Sequence, residues 1–323
     1  MFINSNKLLF ANTMIVGVMV SICSNNWFMI WSGMEISLMC LTPLMSGYNM
    51  ITSECMMKHF IVQGVSSSIL ILGLVMSLLY FNYSNNLVLI SVLIKLGMAP
   101  FHNWVLVVVE GLSYWVNFML LTLIKIAPLT LMSYINLNTN FYVILSLIVG
   151  SLFALNQSSI RKIMAYSSIF NLGFMSISSM NNSIWVIYFM IYSLILSNLF
   201  FFMKKLNINY INQIIINEFT PEVSISIWIL VLSLGGMPPL IEFMGKLMVF
   251  EMLMSMGQIL ILTIMVLTSL LVMFYYIRMM YLSLMFSSLI LKWNKLNLIN
   301  MTIIIFLLNF MMSPMFIMIK SLI

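Results

Sequence analysis

The sequence contains no aspartate, and its seven acids are Glu35, Glu54, Glu110, Glu218, Glu222, Glu242 and Glu251. Charged residues make up 6% of the 323 positions, where a soluble domain carries roughly a quarter. So little charge cannot clothe a folded surface in water, which excludes an ordinary soluble domain. Cysteine stops at Cys23, Cys40 and Cys55. Three thiols at those spacings make no zinc or iron–sulfur pattern, and they are read as small packing residues. Histidine stops at His59 and His102, on different expected helices, which rules out the paired axial ligands of a two-haem cytochrome. No G-x-G-x-x-G follows a strand, and no P-loop is present, so neither a nicotinamide or flavin site nor ATP drive is expected. The net charge is +6, yet the basic residues stand singly or in pairs. Without a basic stripe, nucleic acid is not an expected partner.

What fills the chain is apolar sequence, at 63% of residues. A membrane-spanning helix needs about 20 mostly apolar residues. Segments near 7–23, 27–46, 58–81, 87–111, 115–135, 141–157, 160–180, 183–205, 222–254, 257–286 and 297–319 meet that need. Lys7 precedes the first run, but no small-residue cleavage site follows, so that run is read as a span and not as a leader. The expected fold is an all-α polytopic membrane protein of about eleven transmembrane helices, forming a single transmembrane domain over 1–323.

Loop charge supports this reading. Loops on one side would hold Lys7, Lys58, Arg161–Lys162, Lys204–Lys205, Lys292 and Lys295. The opposite loops, Ser24–Asn26, Asn82–Asn86, Asn136–Asn140, Asn181–Ser183 and Ser255–Gly257, contain no Lys or Arg. Basic loops stay on the matrix or cytoplasmic side. The N-terminus is therefore expected there and the C-terminus on the opposite side, with Lys320 the exception to the pattern.

Two expected helices contain hard interruptions: Lys95-Leu96-Gly97-Met98-Ala99-Pro100 in the fourth and Gly235-Gly236-Met237-Pro238-Pro239 in the ninth. Gly and Pro release backbone groups that hydrocarbon cannot satisfy, so such breaks belong beside a polar cavity. Each falls in the fourth helix of a five-helix unit. Because five is odd, the second unit would enter the membrane upside down. Two five-helix inverted repeats, about 7–135 and 141–286, plus a C-terminal helix at 297–319, are expected, in the manner of a transporter ion path. Two ordinary proline kinks are the alternative.

Charged residues fall deep inside these spans. Glu35 lies about eight residues into the second, roughly 12 Å deep. Lys95 precedes the first break, Lys125 lies near the middle of the fifth span, and Lys246 follows the second break with Glu242 one turn earlier. A lone charge at the bilayer centre costs at least about 2.5–3.5 kcal/mol, so each needs a partner, water or a function. Burial disfavours a lysine's charged form and a nearby carboxylate restores it. Joining or parting a Glu–Lys pair can thus switch a lysine between holding and releasing a proton. Helix-packing ion pairs with no transport role are the alternative. His102, just past the first break, is a candidate to bond freed carbonyls or relay protons. His59, beside Lys58, is expected at the interface, Glu110 at a solvated helix end, and Arg278 as a snorkelling anchor.

Several stretches carry a resemblance. They are Trp31-Ser32-Gly33-Met34-Glu35, the run from Leu93 to Trp104, Lys125-Ile126-Ala127-Pro128-Leu129, the run from Asn156 to Ile169, and Leu234-Gly235-Gly236-Met237-Pro238-Pro239. Together they resemble the chain 2 family of mitochondrial NADH–ubiquinone oxidoreductase, the antiporter-like membrane subunits of respiratory complex I. Met, at 35 residues, suits a mitochondrial genome that reads an extra codon as Met. The resemblance implies a multi-pass protein of the mitochondrial inner membrane that translocates protons as a subunit of NADH:ubiquinone reductase, with no redox centre of its own. NADH, FMN, iron–sulfur clusters and ubiquinone would be bound by partner subunits, and no cofactor or metal by this chain. Glu35, Lys95, Lys125 and Lys246 match the family's line of ionisable residues, and His102 and Glu242 are candidate supporting groups read from this sequence itself. Other membrane-arm subunits and lipids are the implied partners. Two departures stand out. Asn171 occupies the place of a histidine, and Asn takes up no proton at neutral pH. Gly245-Lys246-Leu247 replaces Pro-Lys-Trp, with the extra acid Glu242 placed i to i+4 from Lys246, where it would stabilise the ammonium. A stand-alone cation/proton antiporter and a structural scaffold are the rival expectations.

Overall fold

The computed structural model describes residues 5–47, 49–79, 84–135, 138–216 and 221–287. Its helices are α1 (Ser5–Cys23), α2 (Trp27–Met45), α3 (Met50–Leu79), α4 (Ser84–Leu96), α5 (Asn103–Gly111), α6 (Tyr114–Leu121), α7 (Leu123–Ile135), α8 (Asn140–Leu152), α9 (Ile160–Ser178), α10 (Asn182–Leu206), α11 (Ile211–Ile216), α12 (Pro221–Gly235), α13 (Ile241–Ser255) and α14 (Ile259–Ser287). Among the described residues there is no β-strand, only an isolated bridge between Ser159 and Tyr210. Backbone in hydrocarbon must satisfy its own hydrogen bonds, and helices do so within one segment. Six of the described helical stretches are long and apolar enough to cross a membrane, including Ser5–Cys23, Tyr114–Ile135 and Ile259–Tyr281. Exposed Leu260, Leu267, Leu270 and Phe274 line one face of α14, which suits contact with hydrocarbon.

The expected spans between 7 and 286 fall on helix, with two differences. The third begins at Met50 and not near 58, because no breaker stands in Ile51–Met57. At 30 residues α3 is about 45 Å long, more than the hydrocarbon core is thick. Its outer end carries the exposed Glu54–Lys58 ion pair. The fifth span is two helices, α6 and α7, meeting at Thr122. As expected, the fourth and ninth are each divided at their Gly/Pro runs, into α4 and α5 and into α12 and α13. The eleventh, with Lys292, Lys295 and Lys320, lies outside the described residues.

The chain folds into two compact units. The first takes the described residues up to Ser146, with Met175–Asn181; the second takes Leu147–Phe174 and the described residues from Asn182 on. In the first unit α1 lies against α2 at very short range. Gly17 and Ser21 on α1 meet Gly33 and Ser37 on α2, each pair spaced i to i+4. A Cβ on Gly33 would stand 2.7 Å from both the Gly17 carbonyl oxygen and the Ser21 nitrogen. Small residues let backbones approach where no hydrophobic force drives helices together. That contact fixes α2, which carries Glu35. In the same unit α3 packs on α4, and α7 packs on α4, α1 and α2. In the second unit α10 packs on α12 and α13, and α14 packs on α11, α12 and α13.

Candidate proton-carrying sites at the helix breaks

Both Gly/Pro interruptions close with the same backbone motif. At the end of α4, the Gly97 N–H donates to Ile94 O at 3.1 Å and the Met98 N–H to Leu93 O at 3.1 Å. At the end of α12, the Gly236 N–H donates to Ser233 O at 3.0 Å and the Met237 N–H to Leu232 O at 3.3 Å. This is the left-handed glycine stop, and Gly97 and Gly236 have φ of 70° and 79°. A side chain is strained in that region of backbone space. Side-chain donors also reach carbonyls at the breaks. Trp104 Nε1 donates to Ile94 O at 3.1 Å and Gln63 Nε2 to Lys95 O at 3.3 Å. At the second break Lys246 Nζ donates to Gly235 O at 3.1 Å. A cation at a helix C-terminus also meets the negative end of the helix dipole.

In the first unit Lys95 occupies the last turn of α4 and is buried. Its Nζ stands 3.4 Å from Glu35 Oε1 on α2, and the Glu35 side chain is 20% exposed. Lys95 also borders a cavity of about 10 Å³, roughly room for one water, with His59, Gln63, Ser37, Ile124 and Pro128 on its walls. His59 corrects an expectation. It is 1% exposed, not interfacial, and neither ring nitrogen has a hydrogen-bond partner among the described residues. The early start of α3 carries it a further turn or two into the fold, beside Trp104.

Lys125 follows the interruption at Thr122. The Thr122 hydroxyl donates to Phe118 O at 2.7 Å, and the Lys125 N–H donates to Thr122 O at 3.0 Å. Pro128, inside α7, cannot donate to the Ile124 carbonyl one turn back. Lys125 is 4% exposed, and its Nζ has no hydrogen-bond partner among the described residues. Of the expected site lysines it is the one without a carboxylate beside it among the described residues.

In the second unit Glu242 and Lys246 sit one turn apart on α13, with Glu242 Oε1 3.2 Å from Lys246 Nζ and side chains 1% and 3% exposed. The lysine also lies over the Phe170 ring, 5.6 Å from its centre. Asn171, on α9, accepts a hydrogen bond from Tyr188 Oη at 2.9 Å and faces Glu242. Its carbonyl is thereby engaged and its amide left toward the acid. Tyr192, Tyr275 and Tyr276 are buried in the same unit within electrostatic reach of Glu242, with Ser168 beside Tyr192 and Ser167 beside Tyr276. Sequence reasoning missed these tyrosines, because an aromatic residue in an apolar span looks like packing.

The two expected pairs, Glu35 with Lys95 and Glu242 with Lys246, are thus brought together, and Lys125 stands alone. His102 is half-buried, and its Nδ1 lies 3.2 Å from Pro100 O, against a carbonyl of the break and apart from the ion pairs. Glu110 is exposed near the end of α5. Arg278 reaches Leu155 O at 3.4 Å.

Comparison with known proteins adds three findings. Residues 24–272 match the family model described as NADH:quinone oxidoreductase/Mrp antiporter, transmembrane. The NADH-ubiquinone oxidoreductase chain 2 of Anopheles gambiae is 43% identical over 278 residues, covering 80% of each chain. Two solved structures share the fold. A chain of respiratory complex I from Thermus thermophilus with bound aureothin matches with a TM-score of 0.79 at 21% identity, over 87% of this chain and 71% of that one. A chain of the membrane-bound sulfane sulfur reductase, an archaeal respiratory membrane complex, matches with a TM-score of 0.81 at 16% identity, over 93% and 70%.

Proposed function

Because the chain belongs to the NADH:quinone oxidoreductase/Mrp antiporter family, and within it to the chain 2 relatives of NADH-ubiquinone oxidoreductase, we propose that it carries protons across the membrane as a subunit of that oxidoreductase. It is a multi-pass membrane protein of the membrane arm, and the redox chemistry belongs to other subunits. NADH, FMN, iron–sulfur clusters and ubiquinone are held there, and this chain binds none of them. Its membrane is the mitochondrial inner membrane, with the N-terminus on the matrix side, the C-terminus facing the intermembrane space, and lipids and other membrane-arm subunits around it. The two inverted repeats, about 7–135 and 141–286, belong to the same proposal.

The observation that carries it is Lys125: an ammonium in the middle of a span, buried, next to a helix interruption, with no carboxylate to neutralise it among the described residues. A packing role calls for a paired charge, whereas a proton carrier must be able to lose its charge. Glu35 and Lys95 form the pair that opens and closes beside it. When the pair is closed, Lys95 holds its proton. When it opens, the buried ammonium is destabilised and the proton moves on. Lys246 is the cation of the second unit, kept by Glu242 and the Gly235 carbonyl. Asn171 takes no proton, so transfer in that region runs through water or hydroxyls.

Two measurements test this. On a native gel the chain is expected to co-migrate with a large NADH-oxidising assembly. Migration as a small species that exchanges cations by itself would establish the stand-alone antiporter instead. Neutralising Lys95 or Lys125 is expected to lower proton translocation per assembled complex. Loss of assembly with translocation per complex intact would establish the scaffold.

A further inference from the structure

We propose that His59 and Lys95 share one bound water in the small cavity of the first unit, and that His59 accepts a proton from Lys95 through it. The proposal rests on the proton-carrying function above and adds a group on α3 to it.

The geometry of one cavity carries the inference. His59 is 1% exposed, and neither ring nitrogen has a hydrogen-bond partner among the described residues. His59 and Lys95 both line the cavity of about 10 Å³, together with Ser37 and Gln63. The neighbouring side-chain donors are already engaged. Gln63 Nε2 donates to Lys95 O at 3.3 Å, and Ser37 Oγ donates to Met34 O at 2.7 Å. Trp104, whose ring centre lies 5.6 Å from that of the imidazole, gives its N–H to Ile94 O. The donors left over are those of the Lys95 ammonium, which has three N–H bonds and directs one at Glu35. Glu54 and Lys58, the other charges of α3, pair with each other on its exposed side.

A histidine that serves packing is tied to a carbonyl or a hydroxyl, because an unsatisfied buried polar group costs about 1–3 kcal/mol. His59 has no such tie, and a cavity beside it has room for about one water. Lys95, His59 and the Ser37 oxygen are the polar groups such a water would meet. A neutral imidazole has one nitrogen that donates and one that accepts. The water therefore accepts from Lys95 and donates to the bare nitrogen of His59. His59 and Gln63 stand i to i+4 on α3, so one face of that helix serves the first break twice. Gln63 holds the backbone carbonyl of Lys95, and His59 waits on the cavity beside its ammonium.

The transfer balances. When Glu35 draws away, one N–H bond of Lys95 breaks and its proton passes to the water oxygen. The same water gives a different proton to His59, where a new N–H bond forms. Lys95 becomes a neutral amine, His59 an imidazolium, and the water is restored. The positive charge has moved from α4 to α3. Lys95 can thus lose its charge before Lys125 is free to take a proton. When Lys125 empties, the steps reverse, and the proton returns through the water to Lys95 and moves on.

The test uses the assembled complex in sealed membrane vesicles. His59→Phe keeps a ring against Trp104 and removes both nitrogens. His59→Gln keeps a group that can hold the water but cannot take up a proton. Lys125→Met runs beside them. Proton translocation per assembled complex is expected to fall at least about tenfold in both His59 variants, as for a lost proton-transfer group. An infrared difference spectrum between resting and NADH-driven vesicles is expected to show an imidazolium signal that His59→Gln lacks. A packing role would move neither that signal nor translocation in His59→Phe. Full translocation in His59→Phe, or in His59→Gln, with Lys125→Met still inactive, overturns the proton-accepting role and leaves the proposed function standing. An imidazolium signal unchanged in His59→Gln overturns it equally. Full translocation in Lys125→Met brings down the function, and the role of His59 with it.

Discussion

The two helix breaks are built alike and charged differently. Each ends in a left-handed glycine whose following methionine N–H reaches five residues back. At the first break, the lysine precedes the glycine, and its carboxylate comes from another helix, 60 residues away in sequence. At the second, the lysine follows the break, and its carboxylate rides on the same helix one turn earlier. A pair held across two helices parts when one helix shifts. A pair within one helix turn moves as a unit. The first is suited to switch, while the second can change only by gaining or losing a proton. Exposure sharpens the contrast, since Glu35 keeps 20% of its side chain open and Glu242 only 1%.

The largest test of that contrast removes each acid in turn. Breaking a buried pair leaves an uncompensated charge and costs about 3–5 kcal/mol. Glu242→Gln is expected to destabilise the assembled protein by about that much, and Glu35→Gln by less, about 2 kcal/mol, because Glu35 keeps 20% of its side chain exposed although the Lys95 it leaves behind is buried. Thermal disassembly of the two variants compares them directly, and equal losses would erase the difference between the regions. Next in size, Lys125→Met is expected to cut proton translocation at least about a hundredfold while assembly survives. Vesicle acidification per assembled complex reads it, and normal pumping would leave the switching pair with nothing to switch.

A smaller effect separates the glycines. A Cβ on Gly236 would lie 2.7 Å from Lys246 Nζ, whereas a Cβ on Gly97 would meet Val105 and Trp104. Both alanine variants are expected to lose about 1–2 kcal/mol from the strained backbone, seen as a lower disassembly temperature. Only Gly236→Ala should also lower translocation per complex, because only there is the ammonium displaced. Smallest of all, Gln63→Leu removes the donor to Lys95 O and should cost about 1 kcal/mol. The same thermal measurement checks it, and no loss would mean that the first break does not need its amide.

Much of this site could be read before any fold was known. Glu35, Lys95 and Lys125 announce themselves because a charge amid twenty apolar residues has few explanations. Glu242 and Lys246 are legible as a pair because i and i+4 share a helix face. The partner of Lys95 was legible only as a candidate, since pairing across helices depends on packing. His59 was misplaced because its depth depends on where α3 starts, and the polar run before it gives no clear boundary. Thr122 hid its break because threonine is no breaker by composition. Tyr192, Tyr275 and Tyr276 were invisible because a hydroxyl in an apolar span matters only when others face it.

The sequence by itself determined the class of the molecule. Scarcity of charge forces membrane, the Gly/Pro runs force interruptions, and the few deep charges must be paired, hydrated or used. Those are local requirements, met within one helix or one turn. Tertiary structure alone decided which lysine is left without a carboxylate among the described residues, which histidine is buried, and which buried tyrosines come near Glu242. Those outcomes follow from the approach of separate helices, where small residues such as Gly17 and Gly33 set the spacing, and no periodicity along a single chain records it.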